Sequence, residues 1–308
     1  MKEIFETLSD ELRRVAAEGD DFVALDDESL GILKKLSSHL SPDAGRAEED
    51  FVDDVEEVKF VSAEDFGAIE KAAEKQKKIK IVNNSINIKP IPLPSEFTLP
   101  QGDKQTRWNA LRDIVLSDKV CAEHIRPEKK IVFGVGNLDA KIFFCGEAPG
   151  ADEEIQGEPF VGKAGQLLTK IIAAMGLSRD DVYIGNIMNW RPETPKGNRK
   201  PEFEEMRYCL PYLKAQIEIV RPQVVVALGM TAVEGLLGVD PSRKMGKIRG
   251  QWQKFGDTDL MATYHPSFLL QYASAQMKRL VWEDMMAVME KVGIPISEKQ
   301  RGYFLPKE

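Results

Sequence analysis

Between Lys141 and Val292 the chain repeats one pattern. Short apolar runs at Lys141–Cys145 (KIFFC), Val182–Ile184, Val224–Leu228 and Leu260–Thr263 alternate with longer segments whose apolar residues recur at helical spacing. Those segments are Ala164–Met175, Glu202–Val220, Thr231–Leu237 and Gln276–Val292. Strand–helix alternation of this kind predicts an α/β fold in three α/β/α layers, a parallel sheet with helices on both faces. Ahead of it, KQTRWNALRDIVLSD adds a helix with Trp108, Leu111, Ile114 and Val115 on one side.

In such sheets ligands bind outside the carboxyl ends of the strands. The residues that follow each run are therefore informative. KIFFC leads into Gly146-Glu147-Ala148-Pro149-Gly150, the second run into Gly185-Asn186, the third into Gly229, and the fourth into Tyr264-His265-Pro266-Ser267. Singly, each is explained as well by an ordinary turn, a capping amide or a structural histidine. In this order along one α/β chain they describe one crevice, with glycines that let backbone approach a ligand. The stretch Gly146–Leu168 holds five glycines and five acids around the pair Pro159-Phe160. No G-x-x-x-x-G-K-[ST] or G-x-G-x-x-G motif follows any run, which argues against a nucleoside triphosphate or dinucleotide site. The three histidines, His39, His124 and His265, are too scattered for a metal hydrolase.

Charge divides the chain. Residues 1–100 carry 13 Lys/Arg against 23 Asp/Glu, and the rest is close to neutral, with room for a local basic face toward an anionic partner. Residues 1–40 have two helix-like patterns, 42–79 read as a charged connector, and IKPIPLPSEFTLP (88–100) holds four prolines and reads as an extended linker. The expected division is an acidic extension over 1–100 that offers a surface for a protein partner, a catalytic domain over 101–293 and a tail over 294–308. No run of about 18 apolar residues is present, the start lacks the features of a signal peptide, and Cys121, Cys145 and Cys209 make no disulfide framework. No membrane association and a cytoplasmic location are expected.

Gly146–Leu168, Asn186, RPETPKGNRKP (191–201) and YHPSFLL (264–270) together resemble the uracil-DNA glycosylase superfamily, closest to its family-four branch, over about residues 105–292. The resemblance implies a four-stranded parallel sheet flanked by helices, uracil-containing DNA as partner, and hydrolysis of the uracil N-glycosidic bond to leave an abasic site. The alternative on the same fold is a binder of uracil-containing or abasic DNA that does not turn over. Phe160 matches the aromatic that stacks on the flipped base, and Asn186 the amide that pairs with its edge. Gly146, Glu147 and Ala148 match the pocket backbone, and Glu153 the side chain against uracil C5. His265 matches the donor to uracil O2, which steadies the charge of the departing base. Arg191, Asn198, Arg199 and Lys200 form a basic loop in which Asn198 matches a family-four asparagine, and Ser267 begins the helix after the motif; these groups are expected to bind DNA phosphate by charge and by helix N-terminal amides. The position where other branches place a water-activating group is Ala148, so Asp152 is the remaining candidate for positioning water.

Members of that branch hold a four-iron, four-sulfur cluster on four cysteines. The matching positions here are Asp118, Cys121, Trp190 and Cys209. Two thiols of four make Cys121 and Cys209 ligands only if some residual cluster exists. The expectation is therefore that the cluster is lost, that no cofactor is held, that Trp190 fills its space, and that Cys145 is a buried small residue.

Overall fold

A computed structural model of the chain describes residues 91–305, apart from 196 and 273. The helix-like patterns of 1–40 and the charged connector of 42–79 lie outside the described residues. In chain order the elements are α1 (Lys104–Leu116), α2 (Lys119–Glu123), β1 (Val135–Gly136), β2 (Ile142–Gly146), α3 (Ala151–Gln156), α4 (Lys163–Ala174), β3 (Tyr183–Asn186), β4 (Glu193–Thr194), β5 (Gly197–Asn198), α5 (Phe203–Val220) and β6 (Val224–Leu228). They continue with α6 (Met230–Leu237), α7 (Met245–Ile248), β7 (Trp252–Phe255), β8 (Thr258–Thr263), α8 (Pro266–Gln271), α9 (Ala275–Lys291) and α10 (Glu298–Arg301).

Six strands form one sheet in the order β1-β3-β2-β6-β8-β7. The middle four, β3, β2, β6 and β8, run parallel and are the four apolar runs of the sequence. Strands β2 and β6 are buried along their whole length, which is why they read as unbroken apolar runs without alternation. The expected four-stranded parallel sheet is thus the centre of a larger mixed one. The antiparallel edges β1 and β7 were not foreseen: β1 has only two residues, and β7 alternates exposed and half-buried positions.

One face of the sheet is covered by α1, α5 and α6, through residues such as Leu111, Tyr212 and Val233. The other is covered by α4 and α9, through Leu168, Ile172, Trp282 and Met285. The register sets Gly146 beside Asn186 at the ends of β2 and β3, and Leu228 beside Thr263 at the ends of β6 and β8. The four groups singled out at strand ends therefore emerge from one edge of the sheet.

Two flanking segments are more closely packed than their composition suggests. Residues 91–100 form no helix or strand, as the prolines require, yet Ile91, Phe97 and Leu99 pack on the α1/α5 core, with the Phe97 ring 5.3 Å from that of Tyr212. At the other end, Trp282 Nε1 donates to the Gln300 carbonyl (2.6 Å), Gln300 Nε2 donates to the Ala174 carbonyl (2.8 Å), and Tyr303 packs on the Trp282 ring.

Candidate active site

The centre of the site is the Cα of Gly146. A Cβ at that position would stand 2.5 Å from Asn186 Oδ1 and 2.5 Å from Phe160 Cζ. The amide and the ring both close over this one backbone atom, so only glycine fits. Asn186 is 7 % exposed, and its Oδ1 is buried without a hydrogen-bond partner among the described residues. An unpaired buried acceptor is costly, and its retention at a strand end marks a place where a ligand supplies the donor.

Phe160 is held in an unusual conformation, with φ of 56°. A left-handed non-glycine residue costs about 1–3 kcal/mol and persists only where its surroundings impose it. Three devices impose it here. Arg179 donates from Nη1 to the Phe160 carbonyl (3.0 Å) and from Nη2 to that of Pro159 (2.9 Å). Gly165, in the first turn of α4, lies against the Phe160 backbone, where a Cβ would approach the carbonyl oxygen to 1.9 Å. Glu153 accepts from the Val161 and Gly162 amides at Oε1 (3.0 and 2.9 Å) and from the Gly150 amide at Oε2 (3.1 Å). The carboxylate that the resemblance sets against uracil C5 thus has both oxygens on loop amides.

His265 stands at the N-cap of α8, its ring centroid 5.7 Å from that of Phe160. Its Nδ1 accepts from the Ser267 amide (3.2 Å) and lies 2.7 Å from Ser267 Oγ. The imidazole is half-buried, and desolvation pulls it below its ordinary value, to about 4, so the ring is neutral at pH 7. A neutral ring whose Nδ1 accepts a backbone N–H carries its proton on Nε2. His265 therefore presents an N–H donor. Ser267, expected to reach a phosphate, here fixes that tautomer.

The remaining acids of the Gly146–Leu168 stretch divide by direction. Glu154 is buried and accepts from Arg191 Nη1 (3.0 Å) and pairs with Lys129 (3.3 Å). Asp152 is exposed, with its carboxylate over Gly162 at the start of α4. Glu147 and Ala148 are half-buried, and the Glu147 carbonyl accepts from the Met188 amide (3.0 Å), which extends the β2–β3 pairing past Gly146.

Two of the expected DNA-binding cations, Arg191 and Arg199, turn inward. Arg191 donates to Asn198 Oδ1 (2.6 Å) as well as to Glu154, and so ties the β4–β5 hairpin to α3. Arg199 makes a two-pronged pair with Glu205, which is fully buried, at 2.6 and 2.7 Å. Lys200 pairs with Glu234 on the surface (2.9 Å). Sequence reasoning did not single out Arg179, Glu154 or Glu205. Arg179 and Glu154 act at a distance along the chain, whereas Glu205 is the third residue of α5 and also accepts from the Glu202 amide (2.8 Å).

The positions matching the iron–sulfur ligands come together, but they do not fit a cluster. Asp118 accepts from the Cys121 amide at Oδ1 (2.7 Å) and from the Tyr208 and Tyr212 hydroxyls at Oδ2 (2.7 and 2.9 Å). Burial pushes this carboxyl up, but the three hydrogen bonds outweigh it and leave Asp118 below the usual carboxylate range. The Cys121 thiol is pushed far up by its hydrogen bond with Cys209 and by burial, and so stays protonated. Trp190 is 1 % exposed and stacks on His124 (4.8 Å between centroids). An indole cannot ligate iron, and a carboxylate engaged by two phenols is a poor replacement for a thiolate. Cys145 is a buried free thiol, pushed up beyond the usual range by burial.

Comparison with known proteins agrees with this geometry. Residues 133–286 match the family model of the uracil DNA glycosylase superfamily. A type-4 uracil-DNA glycosylase of Thermotoga maritima is 43 % identical over 169 residues, which is 54 % of this chain and 84 % of that protein. Another type-4 enzyme, from Archaeoglobus fulgidus, is 38 % identical over 206 residues, 63 % of this chain and 98 % of that protein. A type-5 uracil-DNA glycosylase of Pyrobaculum aerophilum is 33 % identical over 147 residues, 43 % of this chain and 63 % of its own length. Strand-end glycines, an unpaired buried amide acceptor, a strained aromatic and a neutral histidine donor thus occur on a chain that belongs to the uracil DNA glycosylase superfamily.

Proposed function

We propose that this protein is a uracil-DNA glycosylase, a hydrolase that cleaves the N-glycosidic bond of uracil in DNA and leaves an abasic site, the first step of base excision repair. The observation that carries the reading is the unpaired Asn186 Oδ1 facing Phe160 across Gly146. Uracil offers an N3–H donor and an O4 acceptor on one edge, and a carboxamide offers the complementary pair. A base taken out of the stack would be read by Asn186 and covered by Phe160. The donor at His265 Nε2 then meets O2, where negative charge grows as the bond to deoxyribose breaks. One such preorganised donor is typically worth about 3–4 kcal/mol in the transition state. Asp152, exposed beside the pocket loop, is the residue proposed to position the attacking water.

In this reading Glu153 shapes the pocket by fixing the loop that carries Phe160, and Arg191 and Arg199 build the hairpin that faces DNA. The iron–sulfur cluster is proposed to be absent, its place taken by Trp190 and the Asp118–Tyr208–Tyr212 hydrogen bonds. None of the helices among the described residues is long and apolar enough to cross a membrane. Three free cysteines suit a reducing cytoplasm, and residues 1–100 are proposed to bind a protein partner.

The test is a single-turnover assay on oligonucleotides that carry uracil, thymine or cytosine at one position. Release of uracil alone is expected, with a large loss in Asn186→Ala. Binding of the uracil oligonucleotide with no base release would instead support the non-catalytic alternative.

A further inference from the structure

Behind the site lies a buried ionic group that the reaction does not use. Thr263, the last residue of β8, is fully buried and donates from Oγ1 to Asp284 Oδ2 (2.6 Å). Asp284, on α9, also accepts from Arg249 at Oδ1 (2.6 Å, from Nη2) and at Oδ2 (3.2 Å, from Nε). Arg249 caps α7 and precedes Gly250, whose amide donates to the carbonyl of Ala262 in β8 (3.4 Å). Burial pushes Asp284 up to about 6, so at neutral pH it is ionised opposite the guanidinium.

As a stabiliser this arrangement is a poor choice. A buried ion pair often contributes no more than an apolar pair of the same volume, because desolvation offsets the attraction. Apolar side chains would hold α9 on the sheet equally well. An apolar pair could not tether the Thr263 hydroxyl, and with it the Cα from which the backbone leaves β8. That backbone is fixed a second time by the Thr263 carbonyl, which accepts from the Gly229 amide (2.8 Å). Gly229 in turn lies under His265, where a Cβ would stand 3.0 Å from His265 Cβ. The carboxylate therefore sits at the root of a short rigid path that ends on the imidazole two residues later.

We propose that Asp284 is a positioning residue for His265, acting through the hydroxyl of Thr263 and held in place by Arg249. The proposal rests on the glycosylase reading of His265. Thr263→Val removes the hydroxyl and keeps the shape. It is expected to slow single-turnover release of uracil about 10- to 100-fold, the range expected when a catalytic group shifts by a fraction of an ångström to an ångström. Its affinity for an oligonucleotide with a non-hydrolysable 2′-fluorinated deoxyuridine should stay within about twofold of wild type, because the path serves the chemical step. Thr263→Ser should restore most of the rate. In a His265→Ala background, Thr263→Val should add no further loss. Asp284→Asn, of the same shape, is the second variant should Thr263→Val not fold, and it should show the same split between rate and affinity. A wild-type rate in Thr263→Val, a Thr263→Ser as slow as Thr263→Val, or a loss that persists undiminished without His265 overturns the proposal. His265→Ala at the wild-type rate overturns the reading of His265 beneath it, and so tells the two failures apart.

Discussion

Replacing Gly146 by alanine isolates the geometry of the site, because it adds one carbon where the structure has no room. The new Cβ would lie 2.5 Å from Asn186 Oδ1, 2.5 Å from Phe160 Cζ and 2.6 Å from Phe160 Cε2. Non-bonded heavy atoms settle at about 3.5–4 Å, so the amide and the ring must each retreat by roughly 1 Å. Both are the groups assigned to hold the base. A misplacement of about 1 Å typically costs on the order of 100-fold, about 2.7 kcal/mol on the barrier. Overpacking costs about 1–3 kcal/mol of stability, a few degrees in Tm for a domain of this size. Thermal unfolding and single-turnover kinetics on a uracil oligonucleotide separate the two effects, with affinity for uracil-free duplex as the control, since the phosphate contacts are not altered. A folded Gly146→Ala protein that releases uracil within about threefold of the wild-type rate would show that Asn186 and Phe160 do not hold the base over this atom.

Gly165→Ala should be more damaging to folding, because its Cβ meets backbone at 1.9 Å, which cannot rotate away, and a Tm equal to wild type would contradict the placement of Phe160. The single-turnover rate should be flat through the ordinary histidine value of 6.5, because desolvation holds folded His265 down at about 4, and an acid limb centred near 6.5 would contradict a neutral ring at this position. The same depressed value means that the stability linked to His265 is fully present above 6.5 and is lost as pH falls toward 4, which acid unfolding curves of wild type and His265→Gln would resolve. Arg199→Ala leaves fully buried Glu205 without its partner and should cost about 3–5 kcal/mol of stability with little change in the salt dependence of DNA binding; a changed salt slope at unaltered stability would return Arg199 to the phosphates.

Much of the site was legible because its chemistry sits at strand ends, and strand ends are marked by where an apolar run stops. Gly146, Asn186 and His265 each follow such a run, and the structure gathers them at one edge of the sheet. The reach of the long side chains was not legible. Arg199 is followed by Lys200 in a polar loop and reads as a solvated cation, yet the carboxylate that claims it lies buried in the first turn of α5. Glu153 reads as a pocket wall only through the family resemblance, and only the fold shows the amides of Val161 and Gly162 turned onto it. Residues 91–100 form no helix or strand, in keeping with Pro92, Pro94 and Pro100, but composition does not report that Phe97 has a ring to pack on.

The matched iron–sulfur positions lead to the last prediction. Removing a cluster from a core leaves a cavity and strips two helices of a crosslink. Here Trp190 fills the volume beside His124 and Tyr208, and Asp118 supplies the crosslink, with α2 bonded through the Cys121 amide and α5 through two phenols. If these residues replace the cluster, they carry its structural share. Trp190→Ala should then cost about 3–5 kcal/mol, the usual range for a buried tryptophan. Asp118→Ala removes the acceptor that two buried hydroxyls share and should cost about 1–3 kcal/mol. The pH signature follows from the lowered carboxyl of Asp118: its contribution is present at neutral pH, above the ordinary carboxylate value of 3.8, and is lost as pH falls through the lower folded value. Wild-type protein purified without oxygen should be colourless and free of stoichiometric iron and acid-labile sulfide. Brown protein with iron and sulfide in cluster proportion, or a Trp190→Ala chain as stable as wild type, would mean that the indole does not occupy the cluster's place.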